Sequence, residues 1–155
     1  MSDTPALRIR SAGAIDAPRI AALAEQLGYP IPLPTIHERL VRMDASAHAV
    51  GVAVRVRDGV LGWVETQIEE PLTSARRCRV SGLIVDLRER QQGIGRSLLV
   101  WAEAWARVHG CGEMYLTSNV HREEAHAFYT HLGWEHRKTS HVYAKQTGVR
   151  GGATA

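Results

Sequence analysis

Residues 83 to 99 read LIVDLRERQQGIGRSLL. An apolar run ends at Asp86, a charged turn carrying Gly93 and Gly95 follows, and an amphipathic helix starts at once. Leu98, Trp101, Ala102, Trp105 and Ala106 then fall at i, i+3, i+4, i+7 and i+8, the stripe of a core-facing helix. The pattern predicts a helix from Gly95 to His109, ended by Gly110. A buried strand that passes directly into such a helix calls for a sheet with helices packed on it. It also turns the unpaired N–H groups of the first helical turn, and the positive end of the helix dipole, toward one point, where an anion such as a phosphate or pyrophosphate is stabilised.

The rest of the chain is consistent with such a sheet. ALRIR reads as a first strand and DAPRIAALAEQLG as a helix capped by Asp16 and stopped by Gly28. After the proline-punctuated loop YPIPLP, a capping box from Thr35 to Glu38 predicts a second helix over TIHERLVRM. HAVGVAVRV and VLGWVETQI are valine-rich strands joined through Arg57, Asp58 and Gly59, where Asp-Gly signals a hairpin. RCRVSGLIVD is a fourth strand with Gly82 inside it, a position that marks a bulge or a close approach. EMYLTS is a fifth strand, REEAHAFYTHLG a helix closed by Gly133, and WEH with SHVYAK a last pair of strands. The tail TGVRGGATA is small and polar, the composition of a flexible end. The expected order is β-α-α-β-β-β-α-β-α-β-β, an α/β (α+β) fold with a mixed sheet and helices packed on it.

At 155 residues, without repeats or a dividing linker, one domain is expected over 1–155, with its core at about 6–146. The net charge of +3 is spread along the chain, chiefly as arginine, and forms no basic run, so it points only weakly to nucleic acid and equally to anionic small molecules such as phosphates; no nucleic-acid partner is expected. Cys78 and Cys111 are far apart and lack a C-x-x-C partner, the N-terminus has no apolar signal core, and no segment approaches membrane-spanning length. A soluble, reducing, cytoplasmic setting without membrane association is expected, with both cysteines as small buried side chains.

Histidines recur at every fifth position, His121, His126, His131, His136 and His141. Five residues along a helix rotate by about 500°, or roughly 140° net, so the three helical ones point in three directions. Metal-binding histidines on a helix sit at i and i+4, and no metal site is expected here. Ala125, Phe128, Tyr129 and Leu132 are the residues that share a face.

Three phosphate-binding patterns can be set against the glycine turn. A Rossmann fingerprint needs a glycine where the chain has Leu98, and a Walker A loop needs Gly-Lys, whereas neither Lys138 nor Lys145 follows a glycine. The stretch RQQGIG, Arg90 to Gly95, resembles the R/Q-x-x-G-x-G/A signature of the GCN5-related N-acetyltransferases, and AHAFYTHLGW resembles that family's later motif A-x-x-F-Y-x-x-x-G-[FWY]. The resemblance covers about residues 6 to 146 and includes the element order.

The resemblance implies a mostly antiparallel central sheet with helices on both faces, and an acetyl-CoA-dependent N-acetyltransferase working by direct transfer. Its fourth strand would splay from the fifth, leaving the backbone of Leu83, Ile84 and Val85 to pair with the pantetheine arm. Gln91, Gln92, Gly93, Ile94, Gly95 and Arg96 would surround the pyrophosphate. Asn119 would touch the cofactor, or else cap the following helix. Tyr129 would donate a proton to the leaving thiolate, and a backbone N–H near Leu83 or Ile84 would face the oxyanion. Relatives often carry a glutamate base on the fourth strand; here Arg77 to Ser81 offer no carboxylate, and Glu65 on the third strand is the candidate, with a solvent-facing strand residue as the alternative.

Acceptors in the family enter beside regions that here contain Tyr29, Ile31 and Leu33, and His136, His141 and Tyr143. These are apolar and aromatic, which fits a small-molecule or peptide amine better than a polycation. A homodimer is left open. The alternative function is a non-catalytic acyl-CoA sensor.

Overall fold

The computed structural model describes residues 5–150. They fall into two compact units, 5–116 and 117–150. The first unit carries a five-stranded sheet in the order β1-β2-β3-β4-β5, with β1 Leu7–Ser11, β2 His48–Arg55, β3 Gly59–Glu69, β4 Arg77–Val85 and β5 Met114–Tyr115. Neighbours are antiparallel except for β4 and β5, which run parallel. Helices α1 Ala17–Gln26 and α2 Leu33–Arg42 precede β2, and α3 Ile94–Val108 connects β4 to β5. The second unit contains α4 Glu123–His131.

The two faces of the sheet have separate cores. Ile20 and Leu23 of α1 pack with Val50 and Val52 of β2 and Ile84 of β4, and Ile36 and Leu40 of α2 lie against them. On the opposite face α3 packs through its buried Leu98, Ala102 and Ala106, residues of the stripe that the period of 3.6 predicts. Helices therefore cover both faces. Cys78 and Cys111 are buried with Ala106 beneath α3, and burial together with the neighbouring Cys111 pushes the Cys78 thiol up to about 11.

Two glycines let α3 come close to the sheet. A Cβ on Gly51 would lie 2.6 Å from the Trp101 ring, and one on Gly62 would lie 2.8 Å from the backbone oxygen of Ile84. A side chain can turn aside but a ladder carbonyl cannot, so Gly62→Ala is expected to destabilise the protein by about 1–3 kcal/mol. A shift in the urea midpoint at unchanged slope checks this.

Two β-bulges set the side-chain phase. Leu61 is the extra residue opposite the step from Ala53 to Val54, and Ser81 the extra residue opposite the step from Glu65 to Thr66. Cys78 and Ile84, an even number of residues apart, consequently face opposite sides of the sheet.

Several local expectations are corrected. Asp16 stands at the N-cap of α1 as expected, but its side chain makes no cap bond; its carboxylate accepts the Gly13 N–H and a bidentate pair from Arg10, closing a 3₁₀ turn. Helix α2 starts at Leu33, with Pro34 in its first turn, so Thr35 lies inside it and no capping box forms. Strand β5 is only two residues long. Among the described residues no strand follows it: the predicted pair WEH and SHVYAK is unpaired chain, with Val142 and Tyr143 about nine-tenths exposed and the His136 ring bonded locally to the Thr139 hydroxyl. Its apolar residues gain no burial to offset strand ordering. Of the predicted tail, 147–150 are exposed and 151–155 lie outside the described residues, as do residues 1–4. Among the described residues no helix is long and apolar enough to cross a membrane.

Candidate active site

The glycine turn has the geometry an anion needs. Gln91 and Gly93 adopt positive φ of 64° and 77°, which brings the chain round so that Gly93 is the N-cap of α3. No side chain caps this helix, leaving the N–H groups of its first turn, Ile94, Gly95 and Arg96, without a side-chain acceptor. A Cβ on Gly93 would meet nothing within 4 Å, so the space above the turn is open. Ile94 is buried and anchors the turn, while Gln91, Gln92, Gly93 and Arg96 are exposed. A pyrophosphate fits this arrangement.

The turn is held by charged side chains from three directions. The Arg55 guanidinium donates to Glu89 at 3.1 Å and to the side-chain oxygen Oε1 of Gln92 at 3.2 Å. Asp86, 3% exposed, accepts from Arg19 of α1 at 2.7 Å and from the Arg88 N–H at 3.0 Å. The Leu87 N–H donates to the Gln26 side chain. The Arg88 N–H, then Arg19 and Gln26, hold the Asp86 carboxyl below the usual carboxylate range despite its burial.

Beside this turn runs an open strand edge. Strand β4 pairs with β3 along its full length, Leu83 opposite Val64, Ile84 opposite Trp63 and Val85 opposite Gly62. Its pairing with β5 ends at Arg79 and Tyr115. From Val80 to Val85 the second edge of β4 therefore has no strand partner among the described residues, and its outward N–H and C=O groups are available. Gly82 lies in this stretch because the Trp63 ring packs onto it, 2.7 Å from where a Cβ would be.

Glu65 is opposite Gly82 and is not a plain solvent-facing residue: its Oε1 is 2.7 Å from His48 Nε2, with both side chains 28% exposed. Farther along the same face, Glu69 accepts from Tyr115 Oη at 2.6 Å and from Arg77 Nε at 3.1 Å, and the Arg77 guanidinium stacks over the Tyr115 ring. The Tyr115 hydroxyl, then Arg77 and Arg79, hold the Glu69 carboxyl below its ordinary range, and burial and Glu69 raise Tyr115. Glu69 is thus committed, whereas Glu65 bonds His48 through Oε1 alone and keeps its other carboxylate oxygen without a hydrogen bond among the described residues.

The loop expected to admit the acceptor, with Ile31 and Leu33, lines an open hollow of about 480 Å³ with Pro18, Ala21 and Glu25 of α1. In the second unit, Asn119 Oδ1 accepts the His121 N–H at 3.0 Å, a turn leading into α4 and not a direct cap. Its carbonyl takes a hydrogen bond with His126 Nε2. Tyr129 packs against Phe128 and Trp134, with ring centroids 5.3 and 5.9 Å away. Burial raises the Tyr129 hydroxyl above its ordinary value, and Arg122 pulls the other way.

Reading the sequence missed Arg55, His48 and Arg79. Arg55 is displayed at the end of the first hairpin strand, and counting back from Asp-Gly places it near the turn. His48 and Arg79 could be found only by cross-strand pairing, which both bulges obscure.

The chain matches the model described as the Acetyltransferase (GNAT) family over residues 20–134. Among curated proteins it is 39% identical over 51 residues to the "Uncharacterized N-acetyltransferase YhdJ" of Bacillus subtilis (strain 168), a match spanning 33% of this chain and only about a third, 36%, of that protein. Among solved structures it superposes on aminoglycoside N-acetyltransferase AAC(6')-Iy in complex with CoA with a TM-score of 0.82 at 19% identity, covering 94% of this chain and 99% of the other. Glucosamine-6-phosphate N-acetyltransferase from Arabidopsis thaliana gives 0.78 at 16%, covering 91% and 99%. The family match covers the open β4 edge, the uncapped glycine turn and the A-x-x-F-Y segment together, and the chain belongs to the GNAT acetyltransferase family.

Proposed function

We propose that this protein is an acetyl-CoA-dependent N-acetyltransferase that moves an acetyl group to the primary amine of a small molecule or peptide by direct transfer, both units serving this one activity. The observation that carries the reading is the uncapped start of α3, with Gly93 at positive φ, beside a β4 edge that lacks a partner beyond Arg79. The fold's likeness to AAC(6')-Iy, solved with CoA and with a CoA-linked bisubstrate analogue, supports it.

Acetyl-CoA, when bound, supplies a thioester whose acetyl group the amine takes. Backbone N–H groups of Gly93 to Arg96, with the Arg96 charge, would hold its pyrophosphate, and the free edge of Leu83, Ile84 and Val85 would pair with its amide-bearing arm. An alkyl amine has a pKa near 10.4 and arrives as an ammonium ion, so a proton must leave before its lone pair can attack. Glu65, oriented by His48, would take that proton. As the C–N bond forms and the C–S bond breaks, a backbone N–H near Leu83 or Ile84 would face the carbonyl oxygen on which charge grows. Tyr129 would give the departing sulfur its proton and recover one from the acylated nitrogen, so that one proton in all is released to solvent. Asn119 would contact the cofactor from the turn before α4.

Titration calorimetry of the protein with acetyl-CoA, beside NAD and ATP, tests the reading. Micromolar binding of acetyl-CoA alone, followed by thiol release with an amine panel, is the expected result. No binding would reduce the glycine turn to a packing device and overturn the proposal. Binding without thiol release from any amine would instead identify an acyl-CoA sensor.

A further inference from the structure

The face of the sheet that carries α1 is apolar at one end and polar at the other. Beyond the Ile20, Leu23 and Val52 cluster, four strands contribute His48, Glu65, Gln67, Glu69, Arg77, Arg79 and Tyr115. Alternation along β3 puts Glu65, Gln67 and Glu69 on this face, because Ile68 packs with Cys78 beneath α3. Arg77 and Arg79 are on the same face, next to Cys78 in sequence and opposite it in direction, as the Arg77 bond to Glu69 shows.

The charges of this patch are unevenly committed. Arg77, Glu69 and Tyr115 satisfy one another. The Arg79 side chain feels the nearby Glu69 charge, but it makes no hydrogen bond or close ion pair among the described residues, and its Nε is buried with no acceptor. A guanidinium in that condition lacks a planar anion that accepts two parallel N–H bonds, which is what a carboxylate does. Arg79 is opposite Gln67, one step along the face from Glu65, a diagonal separation of roughly 7–8 Å that long side chains close. The proton acceptor Glu65 and the anion receptor Arg79 are therefore neighbours, at the point where β4 loses its β5 partner.

We infer that the acceptor is a free amino acid, an amine with a carboxylate on the adjacent carbon: Arg79 takes the carboxylate and Glu65, with His48, takes the ammonium proton. A peptide N-terminus carries an amide in place of that carboxylate and leaves Arg79 unanswered. The inference rests on the acetyltransferase reading and narrows its substrate class.

The test is thiol release from acetyl-CoA with the twenty proteinogenic amino acids, each beside its carboxamide. At least one free acid should exceed its amide in kcat/KM by about 10- to 100-fold, the worth of one or two hydrogen bonds to a charged group. In Arg79→Gln that ratio should fall toward one, and Arg79→Lys, which keeps the charge without the fork, should restore part of it; turnover of the amide shows that each variant is folded. Acids and amides turned over equally, or a ratio unmoved by Arg79→Gln, would overturn the inference. So would a protein that binds acetyl-CoA and acetylates other amines but no amino acid, and that result leaves the acetyltransferase reading standing. A protein that fails to bind acetyl-CoA at all removes that reading, and this one with it.

Discussion

Tyr129→Phe is expected to lower turnover about 100-fold or more while acetyl-CoA affinity stays within a factor of about two, the size of effect a positioned general acid supplies. The substitution removes one oxygen and keeps the ring, so the packing on Phe128 and Trp134 persists. What disappears is a hydroxyl whose burial raises it above the ordinary phenol value, keeping it protonated at neutral pH. A thiolate leaving group deprived of that proton departs as an anion into a site that has lost its donor. Steady-state thiol release and calorimetry on the same preparation separate the two quantities. The wild type should also lose activity at alkaline pH as the phenol ionises, above its usual value of about 10, and the variant should lack that limb. Turnover equal to wild type would take Tyr129 out of the mechanism.

Asp86→Ala should cost about 3 kcal/mol of stability at neutral pH, because it strips a buried carboxylate from Arg19, Gln26 and the Arg88 N–H at the root of the glycine turn. The cost should depend on pH in one direction. The folded-state pKa of Asp86 is lowered, so its contribution is complete above the unfolded value of about 3.9 and is lost as pH falls through the folded value. Urea unfolding of both proteins from pH 7 to pH 2 should therefore show midpoints well apart at neutrality and converging below pH 4. A separation that held constant to pH 2 would mean that Asp86 acts through packing and not through its charge.

How far the sequence alone reveals this molecule depends on the range of the forces involved. Strands β2 to β4 and helix α3 carry their period in consecutive residues, and the glycine turn announces itself because only a few residues tolerate positive φ at Gly93. Caps proved less legible: Asp16 stands at the start of α1 but gives its carboxylate to Arg10, and Thr35 lies inside a helix that already begins at Leu33. The segment after α4 shows strand-like composition in VYAK but has no strand partner among the described residues, and strand formation depends on a partner more than on propensity. Within the site, Glu65 could be named but not its link to His48, and Arg79 registered only as the lack of a carboxylate. Both facts live in cross-strand pairings, His48 with Glu65 and Arg79 with Gln67, that no run of consecutive residues displays.

The extra residue at Ser81 gives β4 two grammars. Before it, odd-numbered positions look toward the α1 face and supply arginines; after it, even-numbered positions look the same way and supply Gly82 and Ile84 to a hydrophobic core. One strand thus offers a charged landing and an oily wall on a single surface, with the seam at the place where its neighbour departs. A relative lacking that one residue would keep every motif of the family and yet turn Arg77 and Arg79 toward α3. Insertions and deletions of single residues in this strand, more than exchanges of side chains, are then the changes by which such a protein would trade one acceptor for another.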